Sequence, residues 1–75
     1  MPVADDAPDK LVRRVTRRIA EVRRTKGLTQ AEMALRLGMA EKNYQRIERG
    51  QNVTVHTLGR IARALGVPAS EFFER

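Results

Sequence analysis

Cysteine and tryptophan are missing from this 75-residue chain, which also has only one histidine, one serine and three aromatic residues. Without cysteine there is no disulfide framework, no thiolate zinc site and no thiol nucleophile, and the chain suits a reducing compartment, which predicts a cytoplasmic location. With Ser70 the sole serine and His56 the sole histidine, there is little material for nucleophilic or acid–base catalysis. No phosphate-cradling G-x-x-x-x-G-K-[ST] loop occurs either. An enzyme is therefore not expected, and neither is a cofactor, a metal or a small-molecule ligand. His56, near the start of a helix, is assigned no role. No apolar run exceeds a few residues, so neither a signal-peptide core nor a membrane span is expected.

A chain of this length can bury one small core and not two. What it has in excess is positive charge: 15 Lys+Arg against 9 Asp+Glu gives +6. Eight of the fifteen basic residues precede Gly27, six of them arginine. Such an imbalance points to a polyanionic partner, although charge alone also suits a merely well-solvated surface.

Met1 to Pro8, with two prolines, two aspartates and no apolar period, reads as a flexible arm ahead of a domain over residues 9–75. Asp9 can then cap a helix in which Leu11, Val12, Val15, Ile19 and Val22 fall within one arc of about 100° on the helical wheel. Arg13, Arg17 and Arg24 project on the opposite side, while Arg23 lies on the margin of the apolar arc, placed to turn inward. Lys26 and Gly27 stop this helix. Thr29 and Glu32 form a T-x-x-E capping box, flanked by the hydrophobic staple pair Leu28 and Met33, so helix 2 begins at Gln30 and ends at Gly38. Helix 3 follows over about 41–49 with Tyr44 and Ile47 inward, Tyr44 as a core-edge ring with its hydroxyl in water. After a loop at Gln51, Asn52 and Val53, Thr54 caps helix 4. Its expected buried set is Val55, Leu58, Ile61, Ala62 and Leu65, and it closes at Gly66. Pro68 opens a last short helix, to which Phe72 and Phe73 give a large apolar end that either closes the core or forms an interface. There is no strand pattern and no internal repeat. The expected fold is all-α, with five helices.

Residues 30–47 meet constraints that a generic bundle does not impose. Ala34 is small where two short helices would cross closely, Gly38 provides a positive-φ turn, and Met33, Leu37, Met39, Tyr44 and Ile47 face inward. The run from Gly27 to Gly50, G-L-T-Q-A-E-M-A-L-R-L-G-M-A-E-K-N-Y-Q-R-I-E-R-G, continues as T-L-G-R-I-A-R-A-L-G-V from Thr57 to Val67. It resembles the Cro and phage-repressor-type, or XRE-like, helix-turn-helix family over roughly residues 15–73. Gly27, Thr29, Gln30, Ala34, Gly38, Ile47, Glu48 and Gly50 stand where that family's motif places them. The resemblance implies a five-helix lambda-repressor-like domain, with the helix-turn-helix at helices 2 and 3 and helix 3 in the major groove of a palindromic operator bound by a dimer. Two positions depart from the pattern. Ala40 stands where the family usually has a capping Ser or Thr, and the loop after Gly50 is about one residue shorter and lacks the usual turn proline.

With Tyr44 and Ile47 inward, Glu41, Lys42, Gln45 and Arg46 are left facing outward, and their chemistry suits base edges. Arg46 and Lys42 can donate to guanine, Glu41 can accept from cytosine, and Gln45 can pair with adenine. The resemblance places base contacts at Glu41, Lys42 and Arg46. It also makes Gln30 a phosphate contact at the amino end of helix 2, where free amides form an anion site. Asn43, Arg49, Asn52 and Thr54 are further phosphate-contact candidates, and Arg23 and Glu48 correspond to the family's structural ion pair between helix 1 and the end of helix 3. The expected function is a DNA-binding transcriptional regulator acting as a homodimer, of the kind found among phage repressors and restriction-modification control proteins. An antitoxin-type module that binds a toxin as well as its operator is the alternative. A membrane-surface role is not expected, because the apolar arc of helix 1 is needed by the core and holds no Trp or Phe.

Overall fold

In the computed structural model, residues 8–51 and 53–73 are described. They form four α-helices and no strand: α1 Pro8–Thr25, α2 Gln30–Leu37, α3 Glu41–Glu48 and α4 Val55–Leu65, followed by a 3-10 segment, Ala69–Phe73. The first seven residues, most of the expected arm, lie outside the described residues. Pro8 is already helical, and Asp9 sits in the first turn of α1 rather than capping it.

Each helix is bounded by the local signals its sequence carries. Thr29 Oγ1 accepts from the Glu32 amide at 3.0 Å, and the Glu32 carboxylate accepts from the Thr29 amide at 2.8 Å, so both halves of the capping box are present. The Glu32 carboxyl is held below its ordinary pKa, first by the Thr29 amide and second by the nearby Thr29 side chain. At Gly38 a Cβ would meet nothing within 4 Å, so it is the backbone angle, φ 69°, that selects glycine for the turn between α2 and α3. α3 starts at Ala40 with no side-chain cap. We therefore expect Ala40→Ser to stabilise the domain by about 1 kcal/mol, read as a raised urea midpoint with unchanged slope.

The core is built from Val15, Ile19 and Val22 of α1, Met33, Ala34 and Leu37 of α2, Tyr44 and Ile47 of α3, and Leu58, Ile61, Ala62 and Leu65 of α4, with Phe72 at its end. α2 packs on α3 and α4, while α1 packs on α3 and the 3-10 segment. Three expectations change. Val55 is 85% exposed rather than buried: as the first residue of α4 its Cα–Cβ bond tilts toward the N-terminus, past the end of the helix. Leu11 is 38% exposed, since the buried face of α1 begins at Val15. The fifth helical element is a 3-10 stretch, in which the Glu71 amide bonds the Pro68 carbonyl at i→i+3 spacing.

Two arginines tie α2 to α4 in a way no local pattern predicts. Arg36 Nη1 donates to the Ala64 carbonyl at 3.0 Å and Arg60 Nη2 donates to the Leu37 carbonyl, so each helix supplies a cation to the last turn of the other. Arg18 acts similarly at the other end, donating from Nε to the Glu71 carbonyl at 3.2 Å and fastening the 3-10 segment to α1. Among the described residues no helix is long and apolar enough to cross a membrane.

Candidate nucleic-acid interface

The helical wheel of α3 divides it cleanly. Tyr44 and Ile47 are buried, while Glu41, Lys42, Asn43 and Arg46 are exposed and Gln45 is half-buried. The outward side chains are partly organised among themselves: Gln45 Nε2 donates to Glu41 Oε2 at 3.2 Å, and Arg46 Nη1 donates to Asn43 Oδ1 at 3.2 Å. These are solvent-exposed bonds within a single helix. They bias side-chain direction at little cost to exchange.

What holds α3 in place is a polar cluster around Glu48. Arg23 Nε donates to Glu48 Oε2 at 2.7 Å and Nη2 donates to Oε1 at 3.2 Å, a two-bond ion pair whose side chains are only 9% and 7% exposed. Arg23 Nη1 also donates to the Leu28 carbonyl at 2.7 Å. Gln30 Nε2 donates to Glu48 Oε1 at 2.9 Å, and the Tyr44 hydroxyl donates to Oε2 at 2.5 Å. One carboxylate thus gathers groups from α1, α2 and α3. Burial by itself pushes the Glu48 carboxyl up, but hydrogen bonds from Arg23, Tyr44 and Gln30 outweigh it, and its pKa lies below the ordinary value. The Glu48 bond likewise raises Arg23. Tyr44 is pushed far up by burial first and by Glu48 second, so it stays a hydroxyl donor.

The Tyr44 hydroxyl is therefore not in water as its sequence position suggests. Its signal was nonetheless present, because Tyr44 and Glu48 are one helical turn apart. The Gln30 bond had no such signal, and it leaves one carboxamide N–H and the carbonyl oxygen for other partners. Arg49 follows the last helical residue and is exposed. Thr54 is the N-cap of α4: its Oγ1 accepts from the Thr57 amide at 3.0 Å and donates to Thr57 Oγ1 at 2.9 Å, so its hydroxyl is already engaged within the helix. Asn52 lies outside the described residues.

Two short helices joined through Gly38, the second clamped from behind and polar in front, define a helix-turn-helix domain. Residues 19–72 match the helix-turn-helix family model, and the chain belongs to that family, in its XRE type. It is 49% identical over 49 residues to an HTH-type transcriptional regulator of Sinorhizobium fredii, a match covering 64% of each protein. The chain thus spans about two thirds of that relative's length. Among solved structures it is similar to the restriction-modification controller protein C.AhdI of Aeromonas hydrophila, with 32% identity, 83% of this chain and 96% of that chain covered, and a TM-score of 0.75. A mutant of the restriction-modification controller protein C.Esp1396I is similar too, with 31% identity, 84% and 85% covered, and a TM-score of 0.77.

Proposed function

We propose that the protein is a sequence-specific double-stranded DNA-binding transcriptional regulator that lays α3 in the major groove and binds a palindromic operator as a homodimer. The observation that carries this reading is the outward face of α3: Glu41, Lys42 and Arg46 are exposed, with Gln45 half-buried beside them, on a helix whose inner face is clamped to α1 and α2 through Glu48. Sub-ångström placement of base-reading groups requires that kind of support. The +6 charge supplies the nonspecific attraction. A two-fold pair is favoured because one short helix reads only a few base pairs, and two would read half-sites about one helical turn apart. Phe73, 51% exposed in a cleft shared with Leu11, is among the exposed large apolar side chains of the described residues, with Leu35 and Val55, that such a pair can use. The likeness to restriction-modification controllers supports a controller's role over that of an antitoxin.

The test is to select an operator from random duplexes and titrate it by fluorescence anisotropy across salt. If a dimer neutralises about 6 to 10 phosphates, log affinity falls with log salt at a slope of about −5 to −9. A flat response would sink the reading, and recovery of single unpaired half-sites would remove the dimer. Within the same assay, Arg46→Ala should relax preference at one operator position and cost about 1 to 3 kcal/mol there, whereas Arg49→Ala should weaken all sequences alike. Gln30→Ala is a less clean phosphate probe, because Gln30 is half-buried and the change also takes a donor from Glu48.

A further inference from the structure

A helix lying in the major groove must meet a phosphate strand where it leaves the groove, and the carboxyl end of α3 carries an arrangement that the helix-turn-helix alone does not explain. Lys42, Arg46 and Arg49 stand at i, i+4 and i+7, a basic stripe running along α3 to its end. There Arg49 and Gly50 share a cleft of about 200 Å³ with Asp9, Val12 and Arg13 of α1. Gly50 has φ 90°, and a Cβ on it would come within 3.2 Å of Val12 Cγ1, so the backbone of the turn rests directly on α1. Arg13 and Arg49 line that cleft from its two sides, one on α1 and one at the end of α3. Both are exposed, and among the described residues neither guanidinium has a hydrogen-bond or ion-pair partner.

The cleft thus has two arginines with like charge and one acidic lining residue, Asp9, which forms no ion pair with either among the described residues. An anion with several oxygens offsets that like charge and satisfies both forks at once. Resting on the DNA-binding reading above, we infer that Arg13 is a phosphate-positioning residue: together with Arg49 it forms a two-guanidinium seat for one backbone phosphate of the bound duplex, so that α1 extends the DNA footprint beyond the helix-turn-helix. Asp9, in the same cleft, opposes that phosphate and tempers the affinity of the seat.

The experiment uses the full chain, the selected operator and a random duplex of equal length, with anisotropy measured across salt for wild type, Arg13→Ala, Asp9→Asn and Arg63→Ala, the last an exposed arginine on α4 away from the cleft. Arg13→Ala should weaken both duplexes by a similar factor, on the order of tenfold, and make the log-log slope shallower by about one for each protomer bound. Asp9→Asn should tighten both duplexes, and the Arg13→Ala urea midpoint should stay at the wild-type value because the side chain is exposed. If Arg13→Ala matches Arg63→Ala in affinity and slope, the seat is refuted while the DNA-binding reading stands. A loss confined to the operator would equally overturn it, since Arg13 would then be reading sequence. A wild-type protein with no salt-dependent duplex binding would overturn both.

Discussion

Glu48→Ala should cost about 3 to 5 kcal/mol, the loss expected when one partner of a buried ion pair is removed, against a total of about 4 to 11 kcal/mol for a domain of this length. The change takes both partners from Arg23 Nε and Nη2 and leaves the Tyr44 hydroxyl and one Gln30 N–H without an acceptor. Only the Arg23 bond to the Leu28 carbonyl remains. In urea the variant should unfold at much lower denaturant, and DNA affinity should fall with it, since the cluster sets how α3 is held. The reverse change, Arg23→Met, keeps the side-chain stem but strands the carboxylate. Combining it with Glu48→Leu removes both charges and should recover part of the loss. Recovery should be larger when Tyr44→Phe is added, because the double change still leaves the buried hydroxyl unpaired. If each single variant melts close to wild type and a double-mutant cycle gives no coupling, the cluster holds nothing together.

The same cluster gives stability a pH dependence with a definite sign. The folded pKa of Glu48 lies below its ordinary value, so the native state favours the ionised form. Its contribution is complete above the unfolded pKa of about 4.3 and disappears as the pH falls through the lower folded value. The stability gap between wild type and Glu48→Gln should therefore narrow only in acid, and a gap unchanged down to the point of acid unfolding would contradict the assignment.

Phe72→Ala should be as damaging, costing about 3 to 5 kcal/mol, whereas Phe73→Ala should stay within about 0.5 kcal/mol in the monomer. Phe72 is 1% exposed and seals the core where the 3-10 segment meets α1 and α4, while its neighbour is half in solvent. The two rings are adjacent in sequence and chemically identical, so the contrast isolates burial. Urea melts of the two variants would decide it: equal losses would mean that Phe73 is packed as well. A Phe73 effect confined to high protein concentration or to the DNA complex would instead place that ring in a contact between protomers.

Much of the fold was legible because the signals that bound these helices act over three or four residues. The capping box at Thr29 and Glu32 and the glycine at 38 specify α2 to the residue, and the inward spacing of Tyr44 and Ile47 places α3 over about 41–49 against the observed Glu41–Glu48. The outward set on α3 follows from the same wheel, since a helix with a known buried face has its exposed face determined. The Arg23 and Glu48 pair was partly visible as well: the wheel put Arg23 at the edge of the apolar arc, and the family resemblance named its partner. Periodicity was misleading at the helix ends. It marked Val55 and Leu11 as core because it records the direction around a helix axis and not whether another element reaches that far along it.

By itself, then, the sequence determined an all-α helix-turn-helix domain, the boundaries of its central helices, and which face of α3 is free to meet a ligand. Each of these depends on backbone preferences and side-chain direction within a turn or two. Apart from the Arg23 and Glu48 pair, the tertiary structure alone decided which side chains bond to distant elements. Gln30 reaches Glu48 across 18 residues, Arg60 reaches Leu37 across 23, Arg36 reaches Ala64 across 28 and Arg18 reaches Glu71 across 53. Such pairings depend on the angle and distance at which whole helices cross, and those are set by the summed packing of the core, so no local pattern contains them.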